Sequence, residues 1–159
     1  MEDCVFCKIY EEKEGIIYEN DFFYAQFDIY PVSPGHAELI PIRHVASFTD
    51  LKDKESRLLS SSIADIIELI ETEDLKEFYQ NIIENPLDER SKEFCEEVLA
   101  HSKVGQEPDG YNIGINEGQA AGRTIDHLHI HIIPRYSGDV NNPVGGVRNI
   151  IPGKGNYKD

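Results

Sequence analysis

The chain has 159 residues, 40% of them hydrophobic and 28% charged, with 30 acidic against 15 basic side chains and a net charge of −15. That size suits one domain with a buried core, and no apolar run approaches the roughly 20 residues that span a bilayer. The acidic field repels nucleic-acid backbones and excludes general DNA or RNA binding, but a small phosphorylated ligand held by local cations and backbone amides stays possible. Met1-Glu2-Asp3-Cys4 lacks the basic segment and apolar core of a secretory signal, so a cytoplasmic protein is expected. The cysteines are Cys4, Cys7 and Cys95, and an odd count argues against a disulfide framework.

In chain order, Cys4 and Cys7 come first, as a C-x-x-C pair suited to a redox dithiol or half of a zinc site. Gly15 to Glu19 and Phe22 to Asp28 read as two strands joined by a turn at Asn20-Asp21. Pro31-Val32-Ser33-Pro34-Gly35 breaks the chain, and Ala37 to Ile42 reads as a third strand. Thr49 or Asp50 is expected to cap the helix that follows. Leu58, Leu59, Ile63, Ile66, Ile67 and Ile70 recur at helical spacing, and the pattern continues through Leu75, Phe78, Tyr79, Ile82 and Ile83. Asn85-Pro86 stops it. A second amphipathic helix is expected from about Asp88 to His101, with Phe94, Cys95, Val98 and Leu99 facing in and Cys95 as a buried thiol. Gly105 to Gly110 is a loop, Tyr111 to Ile115 a strand, Asn116 to Arg123 a glycine-rich loop and Thr124 to Ile133 a last strand. The tail from Arg135 is expected to wrap the surface or reach a partner subunit. Strands, then helices, then two more strands suggest an α+β fold with an antiparallel sheet.

In the last strand, three histidines alternate with aliphatic residues. Successive strand side chains point to opposite faces, so His127, His129 and His131 share one face and Leu128, Ile130 and Ile132 the other. The aliphatic face can enter a core. Three clustered imidazoles add nothing to a strand's stability, but they make sense as metal ligands, as a nucleophile with its supporters, or as both. The preceding loop has small residues that let a ligand approach the backbone, and Asn116, Arg123 and Thr124 can donate to phosphate oxygens.

Five blocks occur in order: the C-x-x-C pair, Pro34-Gly35-His36, Ile40-Pro41-Ile42-Arg43-His44, Asn116-Glu117-Gly118 and His127-x-His129-x-His131, with Asp28-Ile29 upstream of the second. In this pattern the chain resembles the histidine triad nucleotide-binding family, from Cys4 to about Tyr136. Residues 137–159 look like the C-terminal extension of some microbial members, leaving residues 1–136 as the family domain.

The resemblance implies a five-stranded antiparallel sheet with two or more helices packed on it, usually paired in a homodimer with a continuous ten-stranded sheet. It implies cleavage at the α-phosphate of a purine nucleotide or dinucleotide. His129 matches the nucleophile, and a hydrogen bond from its other ring nitrogen to a backbone carbonyl is expected to fix the reactive tautomer. His131 matches the histidine beside the phosphate and leaving group, Thr124 and Asn116 the phosphate contacts, and Asp28 the ribose contact. Phe6, Ile9 and Phe27 are candidates for the base pocket, or equally core residues. Zinc in some members is held by residues matching Cys4, Cys7, His44 and His127, a donor set that suits a structural tetrahedral site. His36 is then left for hydrogen bonds near its turn.

Two departures stand out. Many relatives carry glutamine where this chain has Arg123, which would either add charge to phosphate binding or point outward. An acidic helical insertion around residues 72–103 is not explained by the family pattern. The competing readings are a hydrolase, a transferase or phosphorylase with phosphate or a sugar phosphate as acceptor, a purine-nucleotide sensor, and a thiol redox protein.

Overall fold

The structure, a computed structural model, describes residues 4–156. Its elements are α1 (Val5–Glu12), β1 (Ile16–Glu19), β2 (Phe23–Phe27), β3 (Ala37–Pro41), α2 (Asp53–Thr72), α3 (Leu75–Glu84), α4 (Glu89–Leu99), β4 (Gly110–Gly114) and β5 (Ile130–Arg135). The strands form one five-stranded sheet in the order β1-β2-β3-β5-β4, and every neighbouring pair is antiparallel. The expected α+β architecture is present.

Side-chain alternation sorts the sheet into two faces. Phe23, Ala25, Phe27, Ala37, Leu39, Ile130 and Ile132 enter one core with Ile66 and Ile70 of α2, Leu75 and Tyr79 of α3, and Cys95 and Val98 of α4. Tyr24 and Ile40 face the other way and pack with Phe6 of α1. The register pairs Gln26 with Glu38 and Glu38 with His131, so these three form a polar row across the α1 face. Burying each large apolar side chain stabilises the fold by about 1.5–3 kcal/mol, which makes the three-helix layer the main source of stability.

Four local expectations need correction. The first helix, α1, was not foreseen. Eight residues make a marginal helix in isolation. It persists because Phe6 is 2% exposed against Tyr24 and Ile40, and because the Tyr24 hydroxyl donates to the Phe6 carbonyl at 2.6 Å. Next, the apolar pattern running from Leu58 to Ile83 is two helices. Glu73 turns extended, and the Asp74 carboxylate accepts from the amides of Lys76 and Glu77 to start α3. The cap of α2 is Lys52, whose amide donates to Glu55 at 2.6 Å, while Thr49 and Asp50 lie in a 3-10 turn.

The fourth correction is that regular pairing of β5 begins at Ile130, opposite Leu39, and not at Thr124. Pro41 ends β3 and brings no N–H to the ladder. Upstream of Ile130, the Leu128 amide donates to the Val45 carbonyl, and the Pro41 carbonyl accepts from His127 Nε2 at 2.8 Å.

The acidic segment around 72–103 is not a solvated appendage. Its helices α3 and α4 supply Leu75, Tyr79, Cys95 and Val98 to the main core. They also hold the turn before His36. The Tyr79 hydroxyl accepts from the Gly35 amide at 2.8 Å, and a side chain at Gly35 would meet Ile70 at 2.8 Å and Leu75 at 3.3 Å. Gly35 has φ +83°, so glycine suits the turn on both counts. No helix of the described residues is long and apolar enough to cross a membrane.

Candidate active site and metal centre

The α1 face of the sheet carries the histidines, in two neighbouring clusters. In the first, Nδ1 of His127 lies 3.4 Å from Cys4 Sγ and 3.7 Å from Cys7 Sγ, and Nδ1 of His44 lies 3.3 Å from Cys7 Sγ. A tetrahedral zinc with ordinary bond lengths separates sulfur and nitrogen ligands by about 3.6 Å, so the donor set fits the ion in number, chemistry and spacing. His127 is fully buried, and its Nε2–H donates to the Pro41 carbonyl, which presents Nδ1 to the thiols. Burial, with Cys4 beside it, pushes the Cys7 thiol up to about 11, and burial pulls the His127 imidazole down to about 4. The cysteines are unpaired and come from the start of α1, so this cluster ties the N-terminus to the segment leading into β5.

In the second cluster, His129 is 6% exposed, with its ring 5.2 Å from Phe6 and 5.0 Å from His131. Its Nδ1–H donates to the His127 carbonyl at 2.8 Å. That bond holds the ring in one tautomer and leaves the Nε2 lone pair free, as the sequence led us to expect. Behind it runs a relay absent from the sequence reading. Asp28 Oδ2 lies 3.3 Å from His36 Nδ1, and His36 Nε2 lies 3.0 Å from His131 Nδ1. Burial lowers the His36 and His131 imidazoles from their ordinary value, His131 to about 4 with His36 and His129 adding to the effect. Both rings are therefore neutral near pH 7.

Glu38 was also missed. It is 7% exposed, its Oε2 accepts from Gln26 Nε2 at 3.0 Å, and its Oε1 stands 3.9 Å from His131 Nδ1. Burial, then Asp28, pushes its carboxyl up to about 8. The signal for Glu38 and for the His36–His131 contact was the strand period, because His36, Glu38 and Ile40 alternate onto one face and that face carries His131.

The other predicted residues divide. Phe6 and Ile9 lie on the sheet-facing side of α1, with Phe6 against His127 and His129. Phe27 is not brought to the site. It is 3% exposed on the three-helix face, with its ring 4.8 Å from Phe78. Asn116 and Thr124 are exposed on the loop before β5. Arg123 neither points outward nor presents a free guanidinium. It donates to the Ala46 carbonyl at 2.7 Å and pairs with Asp126 at 3.1 Å, which braces the loop against the segment after His44. Asp28 accepts from the Tyr30 amide through Oδ1 as well as facing His36.

A separate cavity of about 770 Å³ lies between α4, the Pro31–Pro34 turn and the tail around Pro143, and contains none of the predicted site residues.

This constellation is that of a histidine triad protein. Residues 10–138 match the family model described as HIT domain, and the chain belongs to that family. An uncharacterized HIT-like protein of Methanocaldococcus jannaschii is 30% identical over 138 residues, covering 86% of this chain and 81% of that protein. An AP-4-A phosphorylase of Mycobacterium tuberculosis is 28% identical over 145 residues, 89% of this chain but only 57% of the relative's length. Among solved structures, a HIT family protein of Bacillus subtilis has TM-score 0.60 and 25% identity, covering 86% of this chain and 76% of that one. A Zn-bound histidine triad family protein of Mycobacterium smegmatis has TM-score 0.54 and 28% identity, covering 87% and 78%.

Proposed function

We propose that the protein is a nucleotidyl hydrolase that cleaves a purine nucleotide or dinucleotide at the α-phosphate through a covalent nucleotidyl-histidine intermediate. The observation that carries this reading is the 2.8 Å bond from His129 Nδ1 to the His127 carbonyl, which leaves Nε2 as a free nucleophile. Nε2 attacks the α-phosphorus, the bond to the leaving group breaks, and water then releases the nucleoside monophosphate. His131 contacts the phosphate and leaving group, with His36 and Asp28 fixing its ring. Thr124 and Asn116 close over the phosphate from the exposed loop. Phe6 and Ile9 hold the base, and Asp28 reaches the ribose hydroxyls. Arg123 acts through loop position.

In this reading zinc is held by Cys4, Cys7, His44 and His127, where it staples α1 to the catalytic segment and supplies no activated water. The fit of the donor set and the zinc-bound relative support it. The working unit is a cytoplasmic homodimer with a continuous ten-stranded sheet, built on a domain of residues 1–136 with a tail at 137–159.

A second reading has phosphate in place of water as acceptor, favoured by the relative named AP-4-A phosphorylase. The test of both is turnover of adenosine 5′-phosphoramidate and diadenosine tetraphosphate, with and without phosphate, beside His129→Ala. AMP from the wild type alone supports the hydrolase, and ADP formed only with phosphate supports the phosphorylase. Nucleotide binding without turnover in either protein would replace both by a sensor.

A further inference from the structure

Glu38 has no part in the mechanism above, yet it is a carboxyl placed where carboxyls are costly. Its side chain is 9% exposed, and it sits on the face that carries the triad. Oε2 has a partner in Gln26, whereas Oε1 makes no hydrogen bond among the described residues and faces His131 at 3.9 Å. One oxygen of Glu38 and one nitrogen each from His129 and His131 lie within 4.8 Å of one another. His129 keeps Nδ1 on the His127 carbonyl, so the atom it offers is the lone pair of Nε2.

We propose that Glu38, His129 and His131 form a second, exchangeable site for a divalent transition-metal ion, zinc or its cobalt analogue, and that its occupation blocks the nucleophile. Two imidazoles and one carboxylate are a common donor set for such ions. Two ligands held at ordinary bond lengths around a tetrahedral ion are about 3.4 Å apart, so Glu38 Oε1 and His131 Nδ1, now 3.9 Å apart, close on a shared ion by moving about half an ångström, with His131 giving up its His36 hydrogen bond and carrying its ring proton on Nε2. The site differs in kind from the Cys4-Cys7 centre. It has no thiolate, which makes the ion weaker held and exchangeable. When the ion binds, Glu38 gives up its proton and His129 Nε2 donates its lone pair to the metal, keeping Nδ1–H where it is. Nε2 is then no longer available to phosphorus, and the positions of nucleotide phosphate and metal coincide. The ion's presence is independent of the turnover proposed above, but its inhibitory effect rests on that reading.

The experiment is metal stoichiometry of the full chain, purified with its first metal in place and dialysed against graded cobalt or zinc. Wild type is expected to bind two equivalents, the second removable by a weak chelator that leaves the first. Glu38→Gln keeps the shape and the Gln26 contact and is expected to bind one, and His131→Gln the same. Cobalt in the second site adds a visible band without sulfur-to-metal charge transfer, and that band is absent in both variants. If the nucleotidyl reading holds, micromolar zinc inhibits wild-type AMP release competitively with nucleotide and leaves Glu38→Gln at least tenfold less sensitive. One equivalent in wild type, or two in both variants, overturns the site. A second equivalent without any inhibition of an active enzyme overturns the blocking role alone. An inactive enzyme still reports the stoichiometry, so failure of the turnover reading is seen separately.

Discussion

Phe6 and Phe27 are nearly equally buried, at 2% and 3%, on opposite sides of the sheet. Both were base-pocket candidates through the family resemblance, with a core reading equally open, because a resemblance does not say which face of the sheet each ring takes. A change of one position in parity exchanges every side chain, and it is Gln26, not Phe27, that shares the face of His131. His36 was underread for a related reason: its partner is 95 residues away in sequence, so only the sheet order reveals it. The two phenylalanines give a clean contrast. Phe6→Leu and Phe27→Leu each remove core volume and are expected to cost roughly 1–2 kcal/mol, a loss of several degrees in Tm. Only Phe6→Leu, whose ring touches His129, is expected to raise KM for nucleotide, by threefold or more. Equal KM in the two variants would remove the base from Phe6.

At the scale of elements, the sheet strands, the long α2 and the α4 helix were legible because their apolar periods are unbroken, and the Asp88 cap of α4 is a local signal. Breaks and tertiary supports were not. The α2–α3 break rests on a carboxylate capping two amides inside an apolar run, and α1 rests on a sheet face it cannot announce by itself. The role of the α3–α4 insertion is likewise invisible locally, since Tyr79 reaches Gly35 across 44 residues. This contact makes a prediction about transmission from insertion to site. Tyr79→Phe strands the buried Gly35 amide and is expected to cost about 1–3 kcal/mol. Gly35→Ala adds a Cβ 2.8 Å from Ile70 at φ +83° and is expected to cost more. Because His36 follows the turn and touches His131, both variants should also lower kcat more than they raise KM. Thermal melts and steady-state kinetics check this, and unchanged kcat at reduced Tm would confine the insertion to stability.

For the whole molecule, the buried groups of the α1 face set opposing pH slopes that a melt profile can separate. His127 and His131 are held near 4 against an ordinary 6.5, so the folded chain binds fewer protons than the unfolded one in that window. Their contribution is complete above 6.5 and is lost as pH falls towards 4. Glu55 and Asp139, held low by Arg43 and Arg135, add to the acid loss below their ordinary values near 4. Glu38 runs the other way. Its carboxyl is raised from 4.5 to about 8, so the folded chain binds more protons, and the contribution is lost as pH rises through that interval. Between 4.5 and 6.5 His127 and His131, joined by the lowered His36, outweigh one carboxyl and stability climbs; from 6.5 to 8 Glu38 acts alone among these groups and stability falls. That interval corresponds to about 2 kcal/mol at 1.36 kcal/mol per unit, or roughly 4–8 °C in Tm for a chain of this size. In the metal-free protein, Tm is expected to peak near pH 6.5. Glu38→Gln should flatten the alkaline limb without moving the acid one. An alkaline fall that survives in Glu38→Gln would assign it to another group. On the zinc reading proposed above, stripping the metal from the Cys4-Cys7 centre should instead lower Tm at every pH above 6, because it removes the tie between α1 and the segment leading into β5.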